Sequence, residues 1–170
     1  MAEMVPWFER RFKFDIPEGI FLNILERLRG TPARLEERLR SLSREVLTRK
    51  QGGTWSIMEN AGHLFDLEPL WLDRVEDFIK GNEKLKTADL TNRKTHEAGH
   101  NTSALETILS SFRSTRAMLV GKLESLDLAA FSKTALHPRL NSPMRLIDHV
   151  FFVAEHDDHH LARISLLMKT

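Results

Sequence analysis

Four of the eight histidines in this 170-residue chain lie close together, between His149 and His160. In a helix, His149, His156 and His160 fall within about 40° of one another around the axis. His156 and His160 are four residues apart, so their imidazoles lie one turn from each other and can reach the same metal ion. His149 lies about 10 Å away along the axis, too far to share that ion. The spacing therefore predicts a helix that binds a metal.

A role in the core would explain the same residues without a metal. Phe152, Val153 and Ile164 lie on or beside the strip that carries the histidines, so the imidazoles face inward. Buried imidazoles are often satisfied by hydrogen bonds alone. Metal binding therefore requires a third ligand from another part of the chain.

The composition narrows the class of protein. A chain of 170 residues fits one domain, which we expect to span residues 1–170. Lys and Arg outnumber Asp and Glu by only 25 to 24, which argues against nucleic-acid binding and against an electrostatic membrane anchor. No apolar run approaches the ~18 residues of a membrane span, and residues 1–13 lack a signal-peptide core. The absence of cysteine excludes thiolate ligands and a cysteine nucleophile, and it fits a cytoplasmic protein.

The first predicted helix begins near Glu18, where apolar residues start to recur at helical spacing. Gly30 interrupts this pattern, and the following Thr31 and Pro32 fit the N-cap and the first helical position. We therefore expect a helix that is broken or kinked at Gly30. Before it, Phe12, Phe14 and Ile16 alternate with polar residues, which predicts an extended N-terminal arm packed on the body.

The second predicted helix opens with a capping box formed by Ser56 and Glu59. It continues to about Lys80 and ends at Gly81, with a bend at Pro69. Glu68 falls within the apolar face of this helix, so it must be paired or protonated if it is buried.

Two further helices are predicted from their start signals. Ser103 and Glu106 form a second capping box, and Ser142 with Pro143 fits an N-cap followed by the first helical position. Arg116 occupies a position on the third predicted helix where an apolar residue is expected. It can extend to the surface, pair with Glu68, or bind an anionic group of a substrate.

A polar crossover, residues 82–101, connects the second and third predicted helices. It contains His96, Glu97 and His100 in the H-E-x-x-H pattern of zinc proteases. That site requires a long helix, whereas Gly99 interrupts the match and a new helix is expected directly afterwards. We therefore reject the protease site and expect these histidines at most to line an entrance.

Four amphipathic helices with one long crossover and no strand pattern predict an all-α, four-helix bundle. In such a bundle, His63 on the second helix can join His156 and His160 on the fourth. Three imidazoles suit Zn²⁺ or Ni²⁺ better than Mg²⁺ or Ca²⁺ and leave a coordination position open. Four carboxylates are candidates to orient these imidazoles, although most are expected to be solvated: Glu59, Asp66, Glu155 and Asp157.

Two segments together resemble the DinB-like superfamily. One is Trp55-Ser56 followed, after six intervening residues, by His63, and the other is the late pair His156 and His160. The resemblance extends over residues 7–167. It implies a DinB-type four-helix bundle and a divalent metal held by His63, His156 and His160. His149 and Arg116 are outside that ligand pattern and are retained only as pocket candidates.

The same resemblance implies a small-molecule substrate, low-molecular-weight thiols such as bacillithiol or mycothiol as cosubstrates, and a homodimer. The first hypothesis is an enzyme whose metal supplies the chemistry, transferring a thiol to an electrophile or hydrolysing a small substrate. The second is a binding or stress-response protein without turnover. The third is a metal-free helical protein whose histidines only pack and pair.

Overall fold

The computed structural model describes residues 4–169, which contain six α-helices and two β-strands. Four helices are long: α1 (Phe21–Leu39), α3 (Ile57–Lys80), α5 (Leu105–Glu124) and α6 (Leu146–Leu167). Both α1 and α3 pack against α5 and α6, so these helices form the expected four-helix bundle. The helices α2 (Arg44–Thr48) and α4 (Arg93–Glu97) are short and lie in the connections. No helix among residues 4–169 combines the length and the apolar character needed to cross a bilayer.

The helix α3 begins and ends where the sequence predicts. The Ser56 side chain accepts a hydrogen bond from the Glu59 amide, and the Glu59 carboxylate accepts one from the Ser56 amide. At the other end, Gly81 has a φ of 73°, a left-handed conformation that favours glycine. The helix runs through Pro69 without interruption, and the bend at that residue stays a prediction.

Of the two alternatives for the first helix, the break is wrong, because α1 continues through Gly30 and Pro32, and the kink stays a prediction. Pro32 has no N–H, so the Leu28 carbonyl loses its helical donor. That carbonyl instead accepts a hydrogen bond of 3.1 Å from Arg116 on α5. Thr31 is not an N-cap, since its hydroxyl lies 3.0 Å from the Arg27 carbonyl and 2.8 Å from the Asp157 carboxylate.

Arg116 pairs with Glu68, which was one of the three alternatives for it, and also with Asp157. Its side chain is 1% exposed, and its Nη2 lies 2.6 Å from a Glu68 oxygen. Its Nη1 contacts the Asp157 carboxylate. Burial alone would lower the pKa of Arg116, but the two carboxylates raise it, so the side chain stays charged. This ionic group joins α3, α5 and α6, and through Leu28 it also joins α1.

The predicted N-caps at Ser103 and Ser142 are wrong. α5 begins at Leu105 without a side-chain cap, and the Ser103 hydroxyl lies 3.4 Å from the Gly99 carbonyl. Ser142 belongs to a strand that the sequence analysis did not predict. β1 (Thr134–His137) and β2 (Ser142–Arg145) form an antiparallel hairpin. Each strand has four residues, too few for alternation to be recognised in the sequence.

The helix α6 begins directly after the hairpin. Its cap is Arg145, whose backbone N–H and side chain both donate to the Asp148 carboxylate. The N-terminal arm also reaches Asp148, through the Ile16 amide at 3.2 Å. Further along α6, Phe12 and Phe14 of the arm pack against Phe152. The arm is extended as expected, apart from one short 3₁₀ turn at Trp7–Glu9. A second 3₁₀ turn, Glu18–Ile20, occupies the predicted start of the first helix and leads into α1 at Phe21.

Candidate metal centre

Three histidines from two helices converge inside the bundle. His63 lies on α3, while His156 and His160 lie one turn apart on α6, which packs against α3. One ring nitrogen of each lies within 4.8 Å of the others. All three side chains are buried. The structure thus brings together the three residues that the sequence analysis chose as metal ligands.

The hydrogen bonds of His63 fix its tautomer. Its Nδ1 lies 3.0 Å from the Thr95 hydroxyl oxygen. The single hydroxyl proton of Thr95 is donated to the Asp66 carboxylate at 2.9 Å, because a carboxylate only accepts. Thr95 must therefore accept from His63, so Nδ1 carries the proton. The lone pair of His63 is consequently on Nε2, available to an ion.

The same argument applies to His160. Its Nδ1 lies 3.0 Å from Oδ1 of Asn60. The Asn60 amide nitrogen donates to the Ser56 carbonyl at 2.8 Å, so the amide orientation is set and Oδ1 can only accept. The proton of His160 is then on Nδ1, and the Nε2 lone pair is free for coordination.

His156 lies between aromatic rings and has an unsatisfied nitrogen. Its ring packs edge-on against Trp7 and Trp71, at centroid distances of 5.0 and 5.5 Å. Within the described part of the chain, its buried Nδ1 has no hydrogen-bond partner. Both ring nitrogens of His149, outside the cluster, are likewise unpaired in this part of the chain, so the unpaired nitrogen is compatible with a metal site but does not by itself mark His156 as a ligand.

The three imidazoles are electrically neutral at physiological pH. Burial lowers the pKa of His63 to about 4, although the nearby Asp66 carboxylate opposes this shift. Burial, together with the neighbouring histidines, lowers the pKa values of His156 and His160 well below the usual range. Metal coordination requires neutral imidazole, so the residues fit a divalent ion with a preference for nitrogen ligands.

A further hydrogen-bonding group, His100 in the crossover, contacts Asp66, and the sequence analysis did not predict this contact. His100 Nε2 lies 2.8 Å from the same Asp66 oxygen that accepts from Thr95. Burial would raise the pKa of Asp66, but the hydrogen bonds from His100 and Thr95 outweigh it and lower this pKa. Instead of lining an entrance, as expected, His100 is buried against Gly62. The glycine immediately before His63 was the available signal for such a close approach.

Of the four candidate orienting carboxylates, only Asp66 acts on a site imidazole, through Thr95. Glu59 is engaged in the α3 cap and in an ion pair of 2.7 Å with Lys50. Asp157 pairs with Arg116, and Glu155 pairs with Arg10 and Arg27. His149 is buried between the rings of Trp71 and Phe78, and neither it nor Arg116 is among the described residues that line the cavity next to the cluster.

The histidine cluster forms part of the wall of a cavity of roughly 360 Å³. Aromatic and aliphatic side chains form most of the remaining wall, and all three tryptophans are among them. Trp55 packs against His63 at 4.7 Å between ring centroids. A pocket of this size, largely apolar with a few polar groups, suits a small-molecule ligand.

Comparisons with known proteins identify relatives of this fold. The structure of YfiT from Bacillus subtilis, described as a probable metal-dependent hydrolase with an unusual four-helix bundle topology, matches with a TM-score of 0.83 and 17% identity, over 94% of this chain and 92% of that one. A mycothiol-dependent maleylpyruvate isomerase matches with a TM-score of 0.69 and 12% identity, over 88% of this chain and 61% of that one. No curated protein sequence matches significantly.

At these identities the structural similarity establishes the fold and not the activity. The family assignment rests on the sequence itself. A family model for the DinB superfamily matches residues 27–164, which is most of the chain and includes His63, His156 and His160. The protein therefore belongs to the DinB superfamily.

Proposed function

We propose that this protein is a metal-dependent enzyme acting on a small molecule, with a divalent ion held by His63, His156 and His160. The observation that carries the proposal is the state of the imidazoles. All three are buried and neutral, and at His63 and His160 the neighbouring oxygens hold the proton on Nδ1 and leave Nε2 for the ion.

The three nitrogen donors favour zinc or nickel over magnesium or calcium. When bound, the ion supplies a Lewis acid that polarises a substrate or lowers the pKa of a water or thiol in the open position. The protein side chains orient the imidazoles, through Thr95 and Asn60, and exclude bulk water. Trp7, Trp55 and Trp71 provide the apolar wall that does so.

Two reaction classes agree with the relatives. One similar structure is described as a probable metal-dependent hydrolase and the other as a mycothiol-dependent isomerase. We accordingly propose either hydrolysis of a small substrate or attack of a low-molecular-weight thiol on an electrophile. A homodimer is proposed on the family resemblance alone, and light scattering of the purified protein measures it.

Elemental analysis of protein purified without a polyhistidine tag tests the metal site. We expect close to one zinc or nickel ion per chain, and loss of this ion in the His63→Ala and His156→Ala variants. His159→Ala is the matched control, because His159 lines the same cavity on α6 but lies outside the three-histidine cluster. Retention of the metal by the His63→Ala variant, or absence of metal at neutral pH, contradicts the proposal.

Turnover is a separate test. Metal-loaded protein is assayed with thiol and electrophile pairs and with small esters and amides. Metal-dependent product formation that is lost in the His156→Ala variant supports an enzyme. Stoichiometric metal without turnover of either class favours a binding protein instead.

A further inference from the structure

The cavity has a positively charged region three helical turns away from the histidine cluster. Arg74 follows His63 by eleven residues on α3, which places it about 16 Å along the axis and on nearly the same face. Leu67, Leu70 and Trp71 line the cavity between these two positions. Arg139, from the turn of the β-hairpin, lines the cavity as well.

Arg74 is a buried cation without a carboxylate partner. It is 2% exposed, its Nε donates to the Lys86 carbonyl at 2.9 Å, and its Nη1 contacts the His137 ring at 3.2 Å. Burial lowers the pKa of Arg74 to about 10; the Asp77 carboxylate opposes this shift, and the charge of Arg139 adds to it. The side chain still carries its charge at neutral pH.

The guanidinium of Arg139 is a second cation without a carboxylate partner among the described residues. Its guanidinium lies against the rings of Phe8 and Phe152, with its carbon 5.3 and 5.8 Å from the ring centroids. Its Nη2 is buried and has no hydrogen-bond partner among residues 4–169. Arg139 as a whole is only half-buried, but this donor has neither solvent contact nor an acceptor among those residues, so an anion can complete its hydrogen bonding.

Each of the two neighbouring carboxylates makes its hydrogen bonds to other groups, although the charge of Asp77 also acts favourably on Arg74. Asp77 accepts from the Asn82 side chain and from the Lys86 amide. Asp89 lines the cavity, but it accepts from Thr91 and from the Arg93 amide. Within the described residues, neither Arg74 nor Arg139 forms an ion pair with an acid, whereas the other buried arginine, Arg116, has two such partners.

We propose that this cavity binds a substrate that carries a carboxylate, held by Arg139 and Arg74, on an apolar body that extends toward the histidine cluster. The planar guanidinium fork matches a carboxylate, and the two half-satisfied cations suit one negative charge. Leu67, Trp71 and Phe152 provide the contact for the apolar body. This inference rests on the proposed function in one respect only, namely that the reacting end of the substrate lies at the histidine cluster.

Calorimetric titration tests the charge requirement without any assay of activity. The probes are a series of ω-phenylalkanoates with two to six carbons in the acid chain, together with their neutral amides and 4-phenylbutyl phosphate. Each is titrated into metal-loaded protein and into the same protein treated with a chelator. We expect at least one acid to bind roughly 10- to 100-fold more tightly than its amide in both samples.

Variants assign this preference to the arginine. Arg139→Gln should remove most of the preference for acid over amide, with Arg74 accounting for what is left, while Arg139→Lys should retain more of it because the charge remains. Arg11→Gln is the control for a change of net charge, because Arg11 is exposed and is not among the described cavity residues.

Three outcomes overturn the inference: equal affinity for every acid and its amide, an equal loss in the Arg11→Gln variant, or no binding by any acid in the series. Tighter binding of the phosphate than of every acid overturns the choice of carboxylate. Because the preference is measured with and without metal, a protein that fails the metal test can still pass this one. The two proposals therefore fail separately.

Discussion

At the scale of single residues, a histidine binds a metal only where one ring nitrogen keeps its lone pair. At His63 and His160 that choice is made by neighbouring oxygens, those of Thr95 and Asn60. Thr95 acts in this way only because Asp66 takes its hydroxyl proton. The Thr95 hydroxyl is thus a positioning group: because it donates to Asp66, it can only accept from His63 and so keeps the proton of His63 on Nδ1.

Replacement of Thr95 by valine tests this chain of hydrogen bonds. Thr95→Val keeps the shape of the side chain but removes the acceptor for His63 Nδ1, so we expect zinc affinity to fall by roughly 10- to 100-fold. The measurement is a competition titration with a chromophoric chelator. Thr115→Val is the control, since its part-buried hydroxyl bonds only helical carbonyls on α5. An unchanged affinity in Thr95→Val would show that the tautomer is set in another way.

The sequence predicts His156 and His160 because their spacing of four residues is a local property of a helix. It predicts His63 because a four-helix bundle can bring a second helix to them and because the Trp55-Ser56 motif resembles the DinB-like superfamily. The roles of Thr95 and His100 could not be predicted in this way, because they lie in a crossover whose sequence has no helical or strand periodicity. His100 was noticed only as part of a rejected protease pattern. Its actual partner, Asp66, is 34 residues away, and only the folded crossover brings the two together.

At the scale of elements, the fit between α3 and the crossover depends on Gly62. A Cβ built on Gly62 would lie 2.3 Å from the His100 ring. Real atoms do not approach so closely, and the ring is held by its hydrogen bond to Asp66. The glycine therefore permits the crossover to contact the helix that carries His63.

We expect Gly62→Ala to destabilise the fold and Gly30→Ala to stabilise it. Both glycines are inside long helices, but nothing lies within 4 Å of a Cβ on Gly30. Alanine at position 30 should add about 0.5–1 kcal/mol to the free energy of unfolding, through helix propensity. Alanine at position 62 should cost about 1–3 kcal/mol, because the His100 ring must move. Urea unfolding of both variants measures the difference, and equal effects would contradict this account of Gly62.

Start and stop signals predict an element well where the capping groups are adjacent in the chain. The boundaries of α3 follow from Ser56, Glu59 and Gly81 for this reason. Such signals predict a break in α1 that does not occur, because the donor that satisfies the Leu28 carbonyl next to Pro32 comes from Arg116 on another helix. The start of α6 is likewise decided by the pairing of β2 with β1, which is invisible in the isolated sequence of either strand.

At the scale of the whole molecule, the fold buries five histidines in neutral form: His63, His137, His149, His156 and His160. Burial lowers the pKa of His63 to about 4 and that of His137 to about 3, with Arg74 and Arg139 adding to the latter shift. For the other three the pKa falls well below the usual range. Each has an ordinary pKa of about 6.5 in the unfolded chain.

The metal-free protein should consequently lose stability as the pH falls below about 6.5. In that range the unfolded chain binds protons that the folded protein excludes, so the free energy of unfolding decreases. Each such histidine contributes about 1.4 kcal/mol per pH unit, for His63 down to about pH 4. Urea unfolding at several pH values measures the slope. His149→Leu should reduce it by about one proton, and a wild-type slope of one proton or less would contradict the prediction.

The tryptophans have a consequence for how the protein can be studied. The chain contains three tryptophans and no tyrosine, and Trp7, Trp55 and Trp71 all line the same cavity. The tryptophan fluorescence of the protein therefore originates entirely from the lining of this cavity. We expect a ligand that enters the cavity to change this fluorescence, so binding can be measured without a dye or label.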